Sequence, residues 1–584
     1  MVKFTQGRGW LVEAQAAYEE WVRNCKDSEL LEELKKLSSD ADKLSECFSQ
    51  ELTFGTGGMR GIMGAGPNRM NIYTIRRVTR AFASFLRLQD SCPGVVIGYD
   101  SRRNSKRFAN EAAITLLGLG VKVWIFSELM PTPILSFAIR ALGCSGGIMV
   151  TASHNPAAYN GFKAFGRTGT QLKDVDTELI SREAGGLDFF AAGEATNGLQ
   201  AEMVPQAIIN NYFETVQKEL VLEPIKNLSL VYTPLNGAGN KPVKRILKSM
   251  QLCDLWVVPQ QEWPDQDFRF CSSPNPEDPK ALDLAVELAA GKDADLVIAT
   301  DPDCDRVGFA EKGSDGYHFF SGNDIGVLLL DYICAYKKKL LCAGASGHFD
   351  FRESRLKMEP YVIKSIVTTN MVEAVAKKYG AVVYKTLTGF KNICGKMDDL
   401  GREKGGLDGF LLAFEESFGY LPGVYARDKD GVTAAALICE MADRYKTTGR
   451  TLLRRLRELY AELGFHMSFA TSLVFENLNL MTSIMDDLRR KPPCKLATYD
   501  ISKIRDYKNG KEWIPKTNKE LFVELPVSDV LVFEVVDAQV IIRPSGTEPK
   551  LKIYVLVSGA TEDAARGKAA LLQTALVACC HGPA

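Results

Sequence analysis

Between about residues 70 and 420, short apolar runs alternate with helix-length amphipathic segments. VVIGYD at 95–100 is followed by helical spacing near 106–118, then VKVWIF at 121–126, a second helical pattern at 133–142 and GGIMV at 146–150. The pattern resumes with LSLVYT at 228–233, a helix near 241–250, a strand near 254–258, a helix near 278–290 and DLVIAT at 295–300. VIKSIV at 362–367, VVYKT at 382–386 and FLLAFEE at 410–416 continue it. Strands joined by helical crossovers predict parallel or mixed sheets in α/β units. An N-terminal helix is expected over 11–24. After about 450 the pattern becomes a charged amphipathic helix, TLLRRLRELYAEL, then the strands HMSFATSLVF, VLVFEVV, AQVIIRP and LKIYVLV, and a helix over 561–577. This predicts an α+β terminal domain. Boundaries are expected near 190–225, 310–325 and 437–450, and the Gly/Ala-rich stretch 185–198 reads as a linker.

Three strand-like runs end in compact polar loops: GIMV into TASHNP, LVIA into TDPDCDR, and LLAF into EESFGY. In open α/β sheets ligands gather beyond the carboxyl ends of strands. One such loop per α/β unit suggests a shared site.

The chain has 584 residues, enough for several cores without disulfides or structural metals. Lys plus Arg number 71 and Asp plus Glu 72, giving a net charge of −1. That balance argues against nucleic acid or an anionic membrane as main partner. The 14 cysteines are scattered and form no Cys-x-x-Cys, which favours reduced thiols. MVKFTQGRGW lacks the apolar run of a signal peptide, and no stretch has the apolar length of a bilayer span. A cytoplasmic protein is expected.

In DPDCDR, Asp301, Asp303 and Asp305 alternate, and a bent loop lets their carboxylates close around one cation. Three carboxylate oxygens suit a hard ion such as Mg²⁺; the same loop also reads as a solvated acidic turn. In TASHNP, Ser153 stands where a strand ends. His154 is the obvious base, but adjacent side chains of an extended chain point to opposite sides. With no Gly-x-Ser-x-Gly elbow, a Ser-His-Asp hydrolase is poorly supported. A serine that binds metal or carries phosphate needs no neighbouring base, although Ser-His-Asn-Pro is equally good turn chemistry. RPSGTEPK, 543–550, offers Arg543, the hydroxyls of Ser545 and Thr547, and close backbone approach at Gly546, all suited to phosphate. FGTGGMRG, 54–61, is glycine-rich and carries Arg60.

Together these loops resemble the α-D-phosphohexomutases, the superfamily of phosphoglucomutase and phosphomannomutase. TASHNP with its extension NGFK resembles the phosphoserine loop, DPDCDR the metal loop, EESFGY the sugar loop and RPSGTEPK the phosphate loop, in family order. The resemblance implies three similar α/β domains and a smaller α+β fourth around a central cleft. They would span 1–215 with the phosphoserine loop, 216–322 with the metal loop, 323–445 with the sugar loop and 446–584 with the phosphate loop. It implies phosphorylated Ser153, completing a Mg²⁺ shell with Asp301, Asp303 and Asp305. Arg306 would face substrate, with Arg60 and Lys163 near the phosphoserine and Lys391, in LTGFK, in acid/base work. Glu415 and Ser417 would meet sugar hydroxyls, and Arg543, Ser545, Gly546 and Thr547 a distal phosphate. Three aspartates, Mg²⁺ and a phosphoserine of about −2 sum to about −3, which these basic residues offset.

The implied activity interconverts glucose 1-phosphate and glucose 6-phosphate, with glucose 1,6-bisphosphate as intermediate and activator. Several relatives carry a histidine in or just beyond the sugar loop; here Phe418–Lys429 has none, and Tyr420 stands there instead. This resembles the branch of phosphopentomutase, glucose-1,6-bisphosphate synthase and many bacterial phosphoglucomutases, so pentose phosphates and bisphosphate synthesis stay open, as does mannose. Rivals of another class are a metal-dependent phosphatase and an inactive binding protein. Expected partners are small sugar phosphates, not nucleic acid or membrane.

Overall fold

The computed structural model describes residues 6–55, 58–191, 196, 198–220, 224–337, 359–545 and 549–581. The chain forms two compact units. One runs to Tyr317 and takes in Val424–Cys439; the other comprises His318–Gly423 and the chain from Glu440 onward.

In the first unit, a seven-stranded sheet has Gly94–Tyr99 between parallel neighbours Lys122–Ile125 and Gly146–Val150. Every residue of Gly94–Tyr99 and Gly146–Val150 is buried, as expected of strands covered on both faces by helices. The connecting helices are Ser105–Gly118 and Thr132–Ala141. Tyr159–Gly166 returns antiparallel beside Gly146–Val150, and Gly58–Ile62 pairs with it, so the segments flanking Ser153 and containing Arg60 are strands. The helix Ile72–Arg87 begins at Asn71, whose side chain caps Tyr73 and Thr74 while Thr74 bonds back to the Asn71 amide.

The expected N-terminal helix spans Gln6–Asn24, and two more follow at Ser28–Leu37 and Ala41–Phe48. Trp21 packs edge-on against Phe48, Tyr73 and Phe190. Phe189 and Phe190 lie in the stretch that reads as a linker. They are instead packed against the domain core, because two adjacent aromatics outweigh the surrounding glycines. Beyond it, Gln206–Glu219 is a helix burying Tyr212, Phe213 and Val216.

A second sheet sets Leu296–Thr300 between parallel Ser229–Thr233 and antiparallel Val307–Gly313. In the second unit, Tyr361–Ser365 lies between parallel Val382–Thr386 and Phe410–Glu415, with Gly419–Leu421 antiparallel at the end. The C-terminal sheet has seven antiparallel strands, from Phe465–Val474 at one edge to Lys519–Phe522 at the other. The helices Leu478–Arg490 and Glu562–His581 close its core through Met485, Leu572 and Leu576. Ile366, Val367 and Leu387 share an apolar cluster with Val532, Ile541, Tyr554 and Leu556, joining the third sheet to the fourth. Three mixed α/β sheets and an antiparallel sheet with flanking helices match the expected architecture. Among the described residues no helix is long and apolar enough to cross a membrane.

Candidate active site

Ser153 follows the buried strand Gly146–Val150 and has φ of +52°, the left-handed region that ordinary side chains rarely adopt. That turn changes the expected geometry around His154. The two neighbouring side chains do not diverge: Ser153 Oγ lies 3.2 Å from His154 Nδ1 and donates to Asp301 Oδ2 at 2.9 Å. Burial, with Arg306 and Arg60 nearby, pushes the imidazole well below its ordinary value, so the ring is neutral.

Asp301, Asp303 and Asp305 follow the buried strand Leu296–Thr300, and one oxygen of each lies within 4.8 Å of the others. Asp303 Oδ1 and Asp305 Oδ1 are buried with no hydrogen-bond partner. Two orphaned carboxylate oxygens beside a serine hydroxyl form an all-oxygen donor set that fits a hard divalent cation. Burial, then Asp303 and Asp305, pushes the Asp301 carboxyl far above its usual range. Burial acts the same way on Asp305, but Lys163, Lys429 and Arg306 outweigh it and hold that carboxyl far below.

The loop is bedded by its neighbours. A Cβ at Gly237 would stand 2.5 Å from Pro302 Cα, so only glycine permits the approach of the 233–239 loop. Thr132 binds Asp303 twice, amide to carbonyl at 2.9 Å and hydroxyl to Oδ2 at 2.9 Å. Cys304, at the turn's apex, has φ of +53° and accepts from the Gly431 amide at 3.1 Å.

Three of the expected cations meet here with a fourth. Lys163 Nζ is 2.6 Å from Asp303 Oδ2 and 3.1 Å from Asp305 Oδ2, and these two carboxylates overcome burial to raise its pKa. Arg60 donates to Asn155 Oδ1 at 3.3 Å, and Arg306 pairs with Glu277. The fourth, Lys429, is absent from the expected set: its Nζ lies 3.2 Å from Asp305 Oδ2. The sequence signal was RDKDG, a charged run whose four residues Arg427–Asp430 are all buried. Arg102 and Asp100, from YDSRRNS, also lie beneath the serine loop and were missed.

The remaining candidates lie in the second unit. Glu415 ends the strand Phe410–Glu415 and is buried, and Ser417 follows in the turn. Phe418 there has φ of +64°, so each of the three strand-end loops carries a non-glycine residue in the left-handed region. Glu416 accepts from Ser365 Oγ at 3.1 Å and Thr368 Oγ1 at 3.2 Å; burial and Glu415 raise its carboxyl to about 7. Tyr554 is pushed upward by burial and by Glu416, while Arg543 hydrogen-bonds to it and opposes the shift. Thus the Glu415–Glu416 loop and Arg543 gather on one tyrosine. Lys391 is buried in the helix Phe390–Lys404. Ser545 donates its amide to Lys550 O at 2.7 Å; Gly546 and Thr547 lie outside the described residues. Tyr420 does not stand in for the missing histidine: it is buried, stacks on Phe414 and donates to Gly322 O at 2.9 Å. Its aromatic bulk is better accommodated by the core than by a polar loop.

Four consecutive segments match the "Phosphoglucomutase/phosphomannomutase" domains: alpha/beta/alpha domain I over residues 51–189, domain II over 210–315, domain III over 321–463 and the C-terminal domain over 502–573. The chain belongs to the phosphoglucomutase/phosphomannomutase family. A phosphoglucomutase of Staphylococcus haemolyticus is 35% identical over 520 residues, covering 87% of this chain and 90% of its own. One from Staphylococcus aureus strain MRSA252 is 35% identical over 546 residues, covering 92% and 94%. Among solved structures, a phosphoglucomutase/phosphomannomutase family protein from Burkholderia thailandensis aligns with a TM-score of 0.65 at 22% identity, covering 91% of this chain and 98% of that one. Parafusin from Paramecium aligns at 0.62 and 18%, covering 90% and 96%. The family fold therefore accounts for the three α/β sheets and the C-terminal domain, and the chain is an intramolecular phosphotransferase of this class.

Proposed function

We propose that the chain is a phosphoglucomutase that passes phosphate through Ser153, interconverting glucose 1-phosphate and glucose 6-phosphate. The observation that carries this reading is Ser153 Oγ at 2.9 Å from Asp301 Oδ2, in a loop ringed by three buried aspartates and by Lys163, Lys429, Arg60 and Arg306. Phosphorylated Ser153 donates its phosphoryl group to the free hydroxyl of the bound monophosphate. The P–Oγ bond breaks, a P–O bond to the sugar forms, and the hydroxyl proton leaves to a base. Glucose 1,6-bisphosphate results, and its other phosphate then returns to Ser153, which regains the phosphoenzyme. No water is consumed.

The carboxylates of Asp301, Asp303 and Asp305 would hold Mg²⁺, which when bound neutralises charge on the transferring phosphoryl oxygens. Lys163 and Lys429 keep Asp305 ionised for that purpose. Arg306, now on Glu277, exchanges that partner for substrate phosphate. Glu415 and Ser417 contact sugar hydroxyls, and Arg543 with Ser545, Gly546 and Thr547 holds the phosphate not being transferred. Glucose 1,6-bisphosphate serves as activator by phosphorylating Ser153. The free thiols suit a cytoplasmic enzyme.

The test is Ser153→Ala, assayed with glucose 1-phosphate, bisphosphate and Mg²⁺, alongside a phosphopeptide mass measurement of the wild type. Phosphate on Ser153 and loss of turnover in the variant are expected. Activity within a few-fold of wild type, or stoichiometric release of inorganic phosphate in place of isomer, overturns the reading.

A further inference from the structure

Asp100 and Arg102 lie beneath the serine loop, and neither carries a role in the chemistry so far. Their side chains are fully buried, with Arg102 Nε 3.2 Å from Asp100 Oδ2. Such a pair is costly to desolvate and is weak evidence for stability alone, so its other contacts decide what it does. Arg102 Nη2 donates to Ser153 O at 2.5 Å and also to Asn155 O; Nη1 donates to Pro156 O at 2.8 Å and Tyr159 O at 3.1 Å. One guanidinium therefore collects four carbonyls of the loop that begins at Ser153. On the other side, the Ser153 amide donates to Thr151 Oγ1 at 2.8 Å, and the Thr151 hydroxyl donates to Asp100 Oδ2 at 2.6 Å. The second oxygen of Asp100 accepts from Ser105 Oγ at 2.6 Å and from the Arg102 amide at 3.0 Å.

Both peptide groups of Ser153 thus lead back to one carboxylate, the amide through Thr151 and the carbonyl through Arg102. Ser153 is also the residue held at φ of +52°. A left-handed serine is strained, and the strain persists only where surrounding contacts over-determine it. In a relaxed extended loop Ser153 Oγ would leave Asp301.

Resting on the reading of Ser153 as the phosphoryl carrier, we infer that Asp100, Arg102 and Thr151 are positioning residues. They hold the Ser153 backbone in its left-handed turn and so aim Oγ at the aspartate loop. They touch neither sugar nor phosphate, and act on the transfer step without altering substrate affinity. An arginine is required because only its planar fork reaches several carbonyls at once; a lysine supplies charge without the fork.

The experiment uses the full-length enzyme with Mg²⁺. Arg102→Ala is expected to lower kcat by about 100-fold, the order of loss that follows from displacing a reacting group by about 1 Å, with KM within about threefold. Phosphorylation of Ser153 by labelled glucose 1,6-bisphosphate should slow by a similar factor. Added methylguanidinium should recover about tenfold of kcat, and Arg102→Lys should recover little. Thr151→Val removes only the amide arm and is expected to lower kcat by about tenfold, while Thr151→Ser keeps it near wild type. Wild-type phosphorylation kinetics in Arg102→Ala, or a loss appearing in KM instead of kcat, overturns the inference. If Arg102→Ala does not fold, wild-type kcat in Thr151→Val overturns it equally. Absence of phosphate on Ser153 in the wild-type protein sinks the parent reading and so is told apart from failure of the positioning role.

Discussion

Lys163 Nζ lies 2.6 Å from Asp303 Oδ2 and 3.1 Å from Asp305 Oδ2, so a lysine on the strand Tyr159–Gly166 neutralises a loop that ends a strand of another sheet. All three side chains are almost wholly buried. Breaking a buried pair by removing one partner leaves uncompensated charge and typically costs about 3–5 kcal/mol. Lys163→Met should therefore lose stability of that order. Because a bound cation can replace the missing charge, Mg²⁺ should stabilise the variant more than it stabilises wild type. Thermal unfolding of both proteins with and without Mg²⁺ checks this; equal Mg²⁺ shifts would show that the lysine does not share the cation's carboxylates.

Asp303 supplies a different test, since its Oδ1 is buried and unpartnered while its Oδ2 is held by Thr132 and Lys163. Asp303→Asn keeps the shape but removes one of three charges from the donor set. The expected result is a large fall in kcat with weaker Mg²⁺ activation, partly recovered at high Mg²⁺. Mg²⁺ titrations of initial rate decide it, and an unchanged midpoint would make the aspartates a structural turn.

The same contrast explains what was legible in the chain. Ser153, the three aspartates and Glu415 stood out as candidates because each lies at or just beyond the end of an apolar strand, in a loop that resembles a family motif, and both features are local to the chain. Lys429 and Arg102 did not, because their contacts are with carboxylates and carbonyls brought near by folding. A charged run such as RDKDG looks like a solvated loop until its burial is known. Tyr420 failed in the opposite direction: an aromatic in a polar loop looks exposed to ligand, yet its hydroxyl is satisfied by the Gly322 carbonyl and its ring by Phe414. The Gly/Ala-rich stretch at 185–198 misleads for a related reason, since Phe189 and Phe190 find Trp21 across the fold.

Tyr420 accordingly should not select the sugar. Tyr420→Phe removes the donor to a buried carbonyl and should cost about 1 kcal/mol or somewhat more in stability. The ratio of kcat/KM for glucose 1-phosphate over ribose 1-phosphate should stay unchanged. A severalfold change in that ratio would return Tyr420 to the substrate.

Glu416 links the Glu415–Glu416 loop to pH. Its carboxyl is raised from 4.5 to about 7, so the folded state holds a proton that the unfolded chain releases earlier. Stability from this group is full below about 4.5 and is lost as pH rises through about 7. Glu416→Gln, which stays neutral and keeps an acceptor for Ser365 and Thr368, should flatten that part of the stability profile. Denaturant unfolding across this pH window measures it; an identical slope in the variant would assign the pH dependence to other groups.

Arg543 hydrogen-bonds to Tyr554, on which Glu415 and Glu416 also act, so the proposed phosphate clamp and the sugar loop share a buried hydroxyl. In a mutase the transferable end of either isomer must face Ser153, which leaves the other phosphate at one common site. A clamp there should read phosphate and ignore which carbon bears it. Arg543→Ala deletes a charge-assisted fork worth about 1.5–3 kcal/mol at a typical site, equivalent to about a tenfold to more than hundredfold loss in kcat/KM. Glucose 1-phosphate and glucose 6-phosphate should suffer alike, and phosphate on Ser153 should survive in the resting variant. Tyr554→Phe should reproduce a smaller part of the same loss, because it loosens the guanidinium without removing it. Steady-state kinetics in both directions settle the point: a loss confined to one isomer would show that Arg543 recognises a particular end of the sugar.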